Sequence, residues 1–147
     1  MKRSTIVRLA GLLGASLLLI GCGVTDKNIK GIGLGEARQL HTQRDTPPKM
    51  AIFIDARPPS QYVAGHITGA VNWRLDQFKP KAEMDPKIEA YRNLIVYGND
   101  PGSAAARGLS KRLMEIGYEG VRMFGPGYTA WSGSKLPVEV PESAPAK

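Results

Sequence analysis

The sequence predicts an α/β domain in which a central, mainly parallel sheet is flanked by helices on both faces. Three observations predict it. Continuous apolar runs of strand length recur at residues 51–54 (Ala51-Ile52-Phe53-Ile54) and 94–97 (Leu94-Ile95-Val96-Tyr97). Such runs, rich in β-branched residues, fit strands buried on both faces. Residues 103–116 carry a helical stripe in which Ala105, Leu109, Leu113 and Ile116 recur at spacings of four, four and three. Strand and helix then alternate along the chain, the pattern of parallel α/β units.

The elements follow in order. Residues 1–21 have the three parts of a secretory signal. Lys2, Arg3 and Arg8 make a positive start with no acidic residue, and residues 9–20 form a 12-residue apolar run. That run is short for a membrane span, which needs about 20 apolar residues. Leu19-Ile20-Gly21-Cys22 resembles the bacterial lipobox, which implies cleavage before Cys22 and acylation of its sulfur. The plainer alternative is an ordinary signal peptide followed by an incidental thiol. Two or three acyl chains hold a protein stably where one does not. Gly23 in place of an aspartate then favours the outer membrane, if the source has one. The expected location is therefore the cell membrane, lipid-anchored and facing the periplasm or exterior.

Residues 22–31 read as a polar, glycine-containing tether. Gly31, Gly33 and Gly35 do not have the spacing of a dinucleotide loop, and no apolar strand precedes them. Residues 36–43 read as a short helix with Ala37 and Leu40 inward, closed by Pro47-Pro48. Ala70-Val71-Asn72 and Val121-Arg122-Met123-Phe124 are two further short strands. Gly117 sits where a left-handed helix cap belongs. Beyond Val140 the chain turns to Pro, Ser and Ala, so residues 140–147 are expected to be a disordered tail.

Composition narrows the function classes. The formal charge is +7, and removing Lys2, Arg3 and Arg8 with the leader leaves +4. The remaining cations, among them Lys27, Lys30, Arg44, Lys49, Lys79, Lys81 and Arg122, alternate with acids. That is a mixed solvated surface, and no nucleic-acid footprint is expected. His41 and His66 are the only histidines and no cysteine joins them, so neither a metal site nor a cofactor is expected. The 126 residues left after the leader suit one domain held by packing, without a disulfide.

Three segments carry a family resemblance. Ile54-Asp55-Ala56-Arg57, then Gln61-Tyr62-Val63-Ala64-Gly65-His66-Ile67-Thr68-Gly69-Ala70, resembles the first signature of the rhodanese family. Residues 94–97 with the following loop and helix are similar to its active-site strand. Gly125-Pro126-Gly127-Tyr128-Thr129-Ala130-Trp131, followed by Leu136-Pro137-Val138, resembles its closing element. The resemblance covers residues 32–139 and implies the three-layer rhodanese fold. These residues also make local sense. Asp55 ends a buried strand, where its carboxylate can accept backbone N–H groups or pair with Arg57. The resemblance makes His66 a structural hydrogen-bonding residue. Trp131 reads as core. Gln61 stands where the family often has an acid.

The departure lies in the loop. The resemblance implies a cysteine directly after the active-site strand, in a loop whose backbone N–H groups and Arg favour a thiolate. Here the chain reads Gly98-Asn99-Asp100-Pro101-Gly102-Ser103, and residues 23–147 hold no cysteine. Pro101 removes an N–H donor, Asp100 brings negative charge, and no Arg is present. Ser103 reads as a helix cap, with no neighbouring base in sequence to make it a nucleophile. Three readings follow. The first is a non-catalytic, lipid-anchored binding or scaffold module whose former active-site cleft, floored by Gly98, receives an unknown protein or small ligand. The second is a sulfurtransferase-class enzyme using a partner thiol or an unrecognised nucleophile. The third is a lipoprotein whose fold is only a spacer.

Overall fold

A computed structural model describes residues 23–141. Cys22, the leader and residues 142–147 lie outside the described residues. Five strands form one parallel sheet: β1 (Lys30–Ile32), β2 (Ala51–Asp55), β4 (Val71–Asn72), β5 (Asn93–Tyr97) and β6 (Val121–Phe124), in the order β1-β6-β5-β2-β4. Two short strands, β3 (His66–Ile67) and β7 (Val138–Glu139), pair antiparallel beside it. The helices are α1 (Leu34–Thr42), α2 (Pro59–Ala64), α3 (Pro86–Glu89), α4 (Ala104–Ile116) and α5 (Gly127–Gly133). No described helix is long and apolar enough to cross a membrane.

The continuous apolar runs are explained by the two cores. Successive side chains of a strand point to opposite faces. Ile52 and Ile54, Leu94 and Val96, and Val121 and Met123 pack with Leu109 and Leu113 of α4 and Ile88 of α3. Ala51 and Phe53, Ile95 and Tyr97, and Phe124 pack on the other face with Ala37 and Leu40 of α1 and Trp131 of α5. Trp131 is fully buried, and its indole N–H donates to the Pro137 carbonyl at 2.9 Å. Each buried Val, Leu, Ile, Phe or Met side chain here contributes about 1.5–3 kcal/mol, so both helical layers are needed to cover the sheet.

Helix α4 is delimited as its sequence requires. The Ser103 hydroxyl accepts the Ala106 N–H at 3.3 Å, satisfying a donor that the helix itself cannot. Gly117 ends the helix at φ +114°, and its N–H reaches the Leu113 and Met114 carbonyls at 3.2 and 3.1 Å. The inward stripe is Ala106, Leu109, Ser110 and Leu113, whereas Ala105 is exposed. The expected stripe placed Ala105 inward. Positions three and four before Leu109 are both its helical neighbours, and the two alanines gave no means of choosing.

A second correction concerns the stretch read as a tether. Lys30 and Gly31 belong to β1, which pairs with β6 through Lys30↔Arg122, Gly31↔Met123 and Ile32↔Phe124. The turn before it, Asp26–Asn28, is pinned to α4 by Asp26, whose carboxylate lies 2.7 Å from the Lys111 ammonium. A three-residue edge strand with a central glycine has too little apolar pattern to be legible alone.

Candidate functional site at the carboxyl end of the sheet

Strand register brings Ile32, Phe124, Tyr97, Asp55 and Asn72 into one row at the carboxyl end of the sheet. The loops leaving this row place the candidate site residues. In open α/β sheets this is the end at which ligands bind.

Asp55 and Arg57 form the rigid half of the site. The Asp55 carboxylate accepts the Arg57 backbone N–H at 2.9 Å and the guanidinium Nε and Nη2 at 3.0 and 2.6 Å. Nη2 also donates to the Gly65 carbonyl at 2.7 Å, and the guanidinium lies 3.9 Å from the Tyr128 ring centroid. Asp55 is 0% and Arg57 4% exposed, so neither is open to a ligand. Burial works against the Arg57 charge, and the Asp55 bond and charge outweigh it, raising its pKa. The pair is a clamp tying β2 to the turn at Gly65 and to α5. Burial, reinforced by the Asp55 charge, also pushes the Tyr97 phenol far up, so it stays protonated. Its oxygen accepts the Ile67 N–H at 3.2 Å.

The second half is the loop at residues 98–103. Asn99, Asp100, Pro101 and Gly102 are exposed, Ser103 is half-buried and Gly98 is buried. The Gly98 and Asn99 carbonyls accept the Tyr128 and Thr129 N–H groups at 2.9 and 2.8 Å. Helix α5 has no side-chain cap, so loop carbonyls satisfy its first donors. That contact explains Gly127, which sits at φ +71°. A Cβ there would stand 2.8 Å from the Asn99 carbonyl and the Asp100 nitrogen. A cleft floored by Gly98 is not what the structure contains. A Cβ built on Gly98 would fall on the Ser103 hydroxyl and Cβ, so Ser103 fills the space a side chain at 98 would take. The residue that caps α4 also closes the floor.

The remaining sequence candidates are held structurally. The His66 ring Nδ1 lies 3.0 Å from the Tyr62 carbonyl, stacked on the Tyr62 ring at 3.8 Å. The His41 Nε2 lies 2.9 Å from the Thr68 carbonyl, with its ring edge-on to Trp131. Among the described residues neither histidine is hydrogen-bonded to Ser103, whose hydroxyl accepts the Ala106 N–H. Gln61 is exposed. Among the described residues no three His, Cys, Asp or Glu side chains gather as a metal site would require.

Two features of this pole are absent from the sequence reading. Arg107, one turn into α4, stands beside Gly102 on the rim of a cavity of about 220 Å³ shared with Asp26 and Gly125. A second, larger groove of about 710 Å³ opens on the other side, between the first turns of α4 and the segment around the turn Leu75–Gln77. Its cations, Arg74 and Lys79 on one segment and Arg112 on α4, meet only in the fold.

Comparison with known proteins agrees with this architecture. The profile of the rhodanese-like domain matches residues 36–134. The chain is 27% identical over 127 residues to YibN, an uncharacterized protein of Escherichia coli, spanning 86% of this chain and 83% of YibN. It is 29% identical over 108 residues to the thiosulfate sulfurtransferase GlpE of Pseudoalteromonas translucida, spanning 71% of this chain and 90% of GlpE. The solution structure of a rhodanese-like domain from Anabaena matches with a TM-score of 0.54 at 21% identity, covering 80% of this chain and 85% of that one. A Bacillus halodurans protein matches with a TM-score of 0.60 at 16% identity, covering 77% and 78%. With its five parallel strands, its clamp of Asp55 and Arg57 and its loop between β5 and α4, this chain belongs to the rhodanese-like domain family.

Proposed function

We propose that this protein is a lipid-anchored, non-catalytic rhodanese-like domain that serves as a binding or scaffold module at the bacterial cell envelope. The observation that carries the reading is the loop after β5. By the resemblance, Gly98 stands where the family has its cysteine, and a Cβ built there would fall on the Ser103 hydroxyl. Rhodanese chemistry runs through a thiolate, and residues 23–147 have none. Asp100 is the only charged residue between 98 and 103, the wrong sign for holding an anionic nucleophile. The anchor rests on Cys22 and the leader before it.

The likeness to GlpE favours a second reading, a sulfurtransferase-class enzyme that borrows a partner's thiol. A photocrosslinking residue at the exposed Asn99 tests the binding role in the intact, membrane-attached protein. A discrete, saturable adduct at Asn99 and none at the exposed Glu119 is expected. Equal labelling at both would remove the module reading and leave a spacer. For the anchor, the mature N-terminus should carry diacylglycerol on Cys22, and Cys22→Ser should release the protein or leave an uncleaved precursor. An unmodified thiol by mass spectrometry overturns the anchor.

A further inference from the structure

We infer that the groove between α4 and the segment around Leu75–Gln77 is the docking site, and that it takes an acidic, aliphatic peptide segment of a partner protein. The inference rests on the module reading and names the kind of partner. The groove measures about 710 Å³, enough for two or three side chains of a bound segment. Its floor is apolar. Leu75 is 40% exposed, one of four large hydrophobic residues left exposed among the described residues. Phe78 and Ala56 line the floor with it, and so does Ala105, which the phase of α4 turns outward. Ala105 belongs to the first turn of α4, directly after the Ser103 cap, so the groove adjoins the candidate site without being part of it.

The rim supplies the charge preference. Arg74, Lys79 and Arg112 line the groove with a single acid, Asp76. Arg74 spends one nitrogen on Asp76, and its Nε has no hydrogen-bond partner among the described residues. Arg112 donates from Nε to Glu115 at 3.1 Å and from Nη1 to the Phe78 carbonyl, whereas Lys79 makes no ion pair among the described residues and is the free cation of the rim. The lining is net positive, and carboxylates are the complementary groups. Apolar floor and cationic rim together select a segment that alternates aliphatic and acidic residues. This chain's own stretch of that kind is already engaged. Val138 and Glu139 form β7, and the Glu139 carboxylate accepts the Gly69 N–H at 3.2 Å.

Fluorescence anisotropy on the full chain in neutral phosphatidylcholine nanodiscs tests this. The probe is a labelled peptide with three repeats of Glu-Leu-Asp-Val, set against one in which Lys replaces both acids and one in which Ser replaces both aliphatics. Only the first should bind. Lys79→Glu should weaken it by about tenfold, Leu75→Ser should do the same, and added salt should weaken the native protein's binding. Both substituted residues are exposed, and circular dichroism checks that the variants stay folded. Equal binding of all three peptides, binding of none, or indifference to both substitutions overturns the inference. So does binding to phosphatidylglycerol nanodiscs in place of the peptide, or sedimentation showing that these substitutions instead abolish self-association. A thiosulfate:cyanide assay on the same sample separates the two proposals. Turnover removes the non-catalytic reading, and missing peptide binding without turnover removes the groove alone.

Discussion

The turn at residues 55–57 and the loop at residues 98–103 leave the same end of the same sheet, yet they are built in opposite ways. In the turn, the Asp55 carboxylate and the Arg57 Nε and Nη2 are spent internally. Asp55 takes three Arg57 donors, and Arg57 is further held by the Gly65 carbonyl and the Tyr128 ring. In the loop, four consecutive residues from Asn99 to Gly102 are exposed, and the fixed points are the two carbonyls accepting from α5 and the Ser103 cap. The Asp55–Arg57 frame is therefore buried and closed, while the loop is open to solvent from Asn99 to Gly102 and Ser103 fills the space beside Gly98. A fold keeps its clamp because removing either half leaves a buried charge. A surface loop carries no such penalty and is free to change.

The sharpest way to break the comparison is to cut the clamp. Arg57→Ala strands the buried Asp55 carboxylate and should cost about 3–5 kcal/mol, read as a lowered urea midpoint. Asp100→Ala in the loop should stay within about 0.5 kcal/mol. Comparable losses at the two positions would erase the contrast.

A smaller effect tests the filled floor. Gly98→Cys forces a side chain into the space of Ser103 and should cost about 1–3 kcal/mol. Adding Ser103→Gly should recover most of that, since glycine caps helices only slightly less well than serine. Additive costs in the double variant would mean that the two residues do not compete. Gly98→Cys alone should restore little sulfurtransferase activity, because Asp100 raises the new thiol's pKa and Pro101 offers no N–H.

The frame should also respond to pH. Burial pushes the His41 imidazole below the usual histidine range, partly opposed by its bond to the Thr68 carbonyl. The unfolded chain's histidine titrates near 6.5. The His41 contribution to stability is thus complete above that value and is lost as pH falls from it toward the lower folded pKa. Urea midpoints at about pH 7 and 5 should differ less in His41→Phe than in the native protein. An unchanged difference would place the titration elsewhere.

The smallest expected effect lies on α4. The Ser110 hydroxyl is fully buried with no hydrogen-bond partner among the described residues. Ser110→Ala should be neutral or stabilise by about 1 kcal/mol in the same denaturation assay, and a clear loss would reveal a hidden partner.

Much of this was legible in the sequence. The apolar runs marked β2 and β5 because a strand buried on both faces has no polar side to show. Asp55 beside Arg57 carried its own pairing, two residues apart. Gly117 marked the end of α4. Other features were not legible, for physical reasons. Strand β1 is too short for a pattern. Ala105 and Ala106 are equivalent until tertiary packing sets the helix phase. Ser103 was identified as a cap, but its occupation of the Gly98 side-chain space depends on the path of the turn between them. Lys79 belongs in sequence to a dispersed, mixed surface, and only folding brings it and Arg74 beside Arg112 of α4.

The central proposal is that the loop after β5 does not support thiolate chemistry. The measurement that tests it most directly is the thiosulfate:cyanide sulfurtransferase rate of the purified full chain, cleared of contaminating rhodanese and followed by mass spectrometry for sulfur added to the protein. No thiocyanate above background and no added sulfur are expected. Turnover that rises in proportion to this protein and disappears when Ser103 is replaced by alanine would contradict the account.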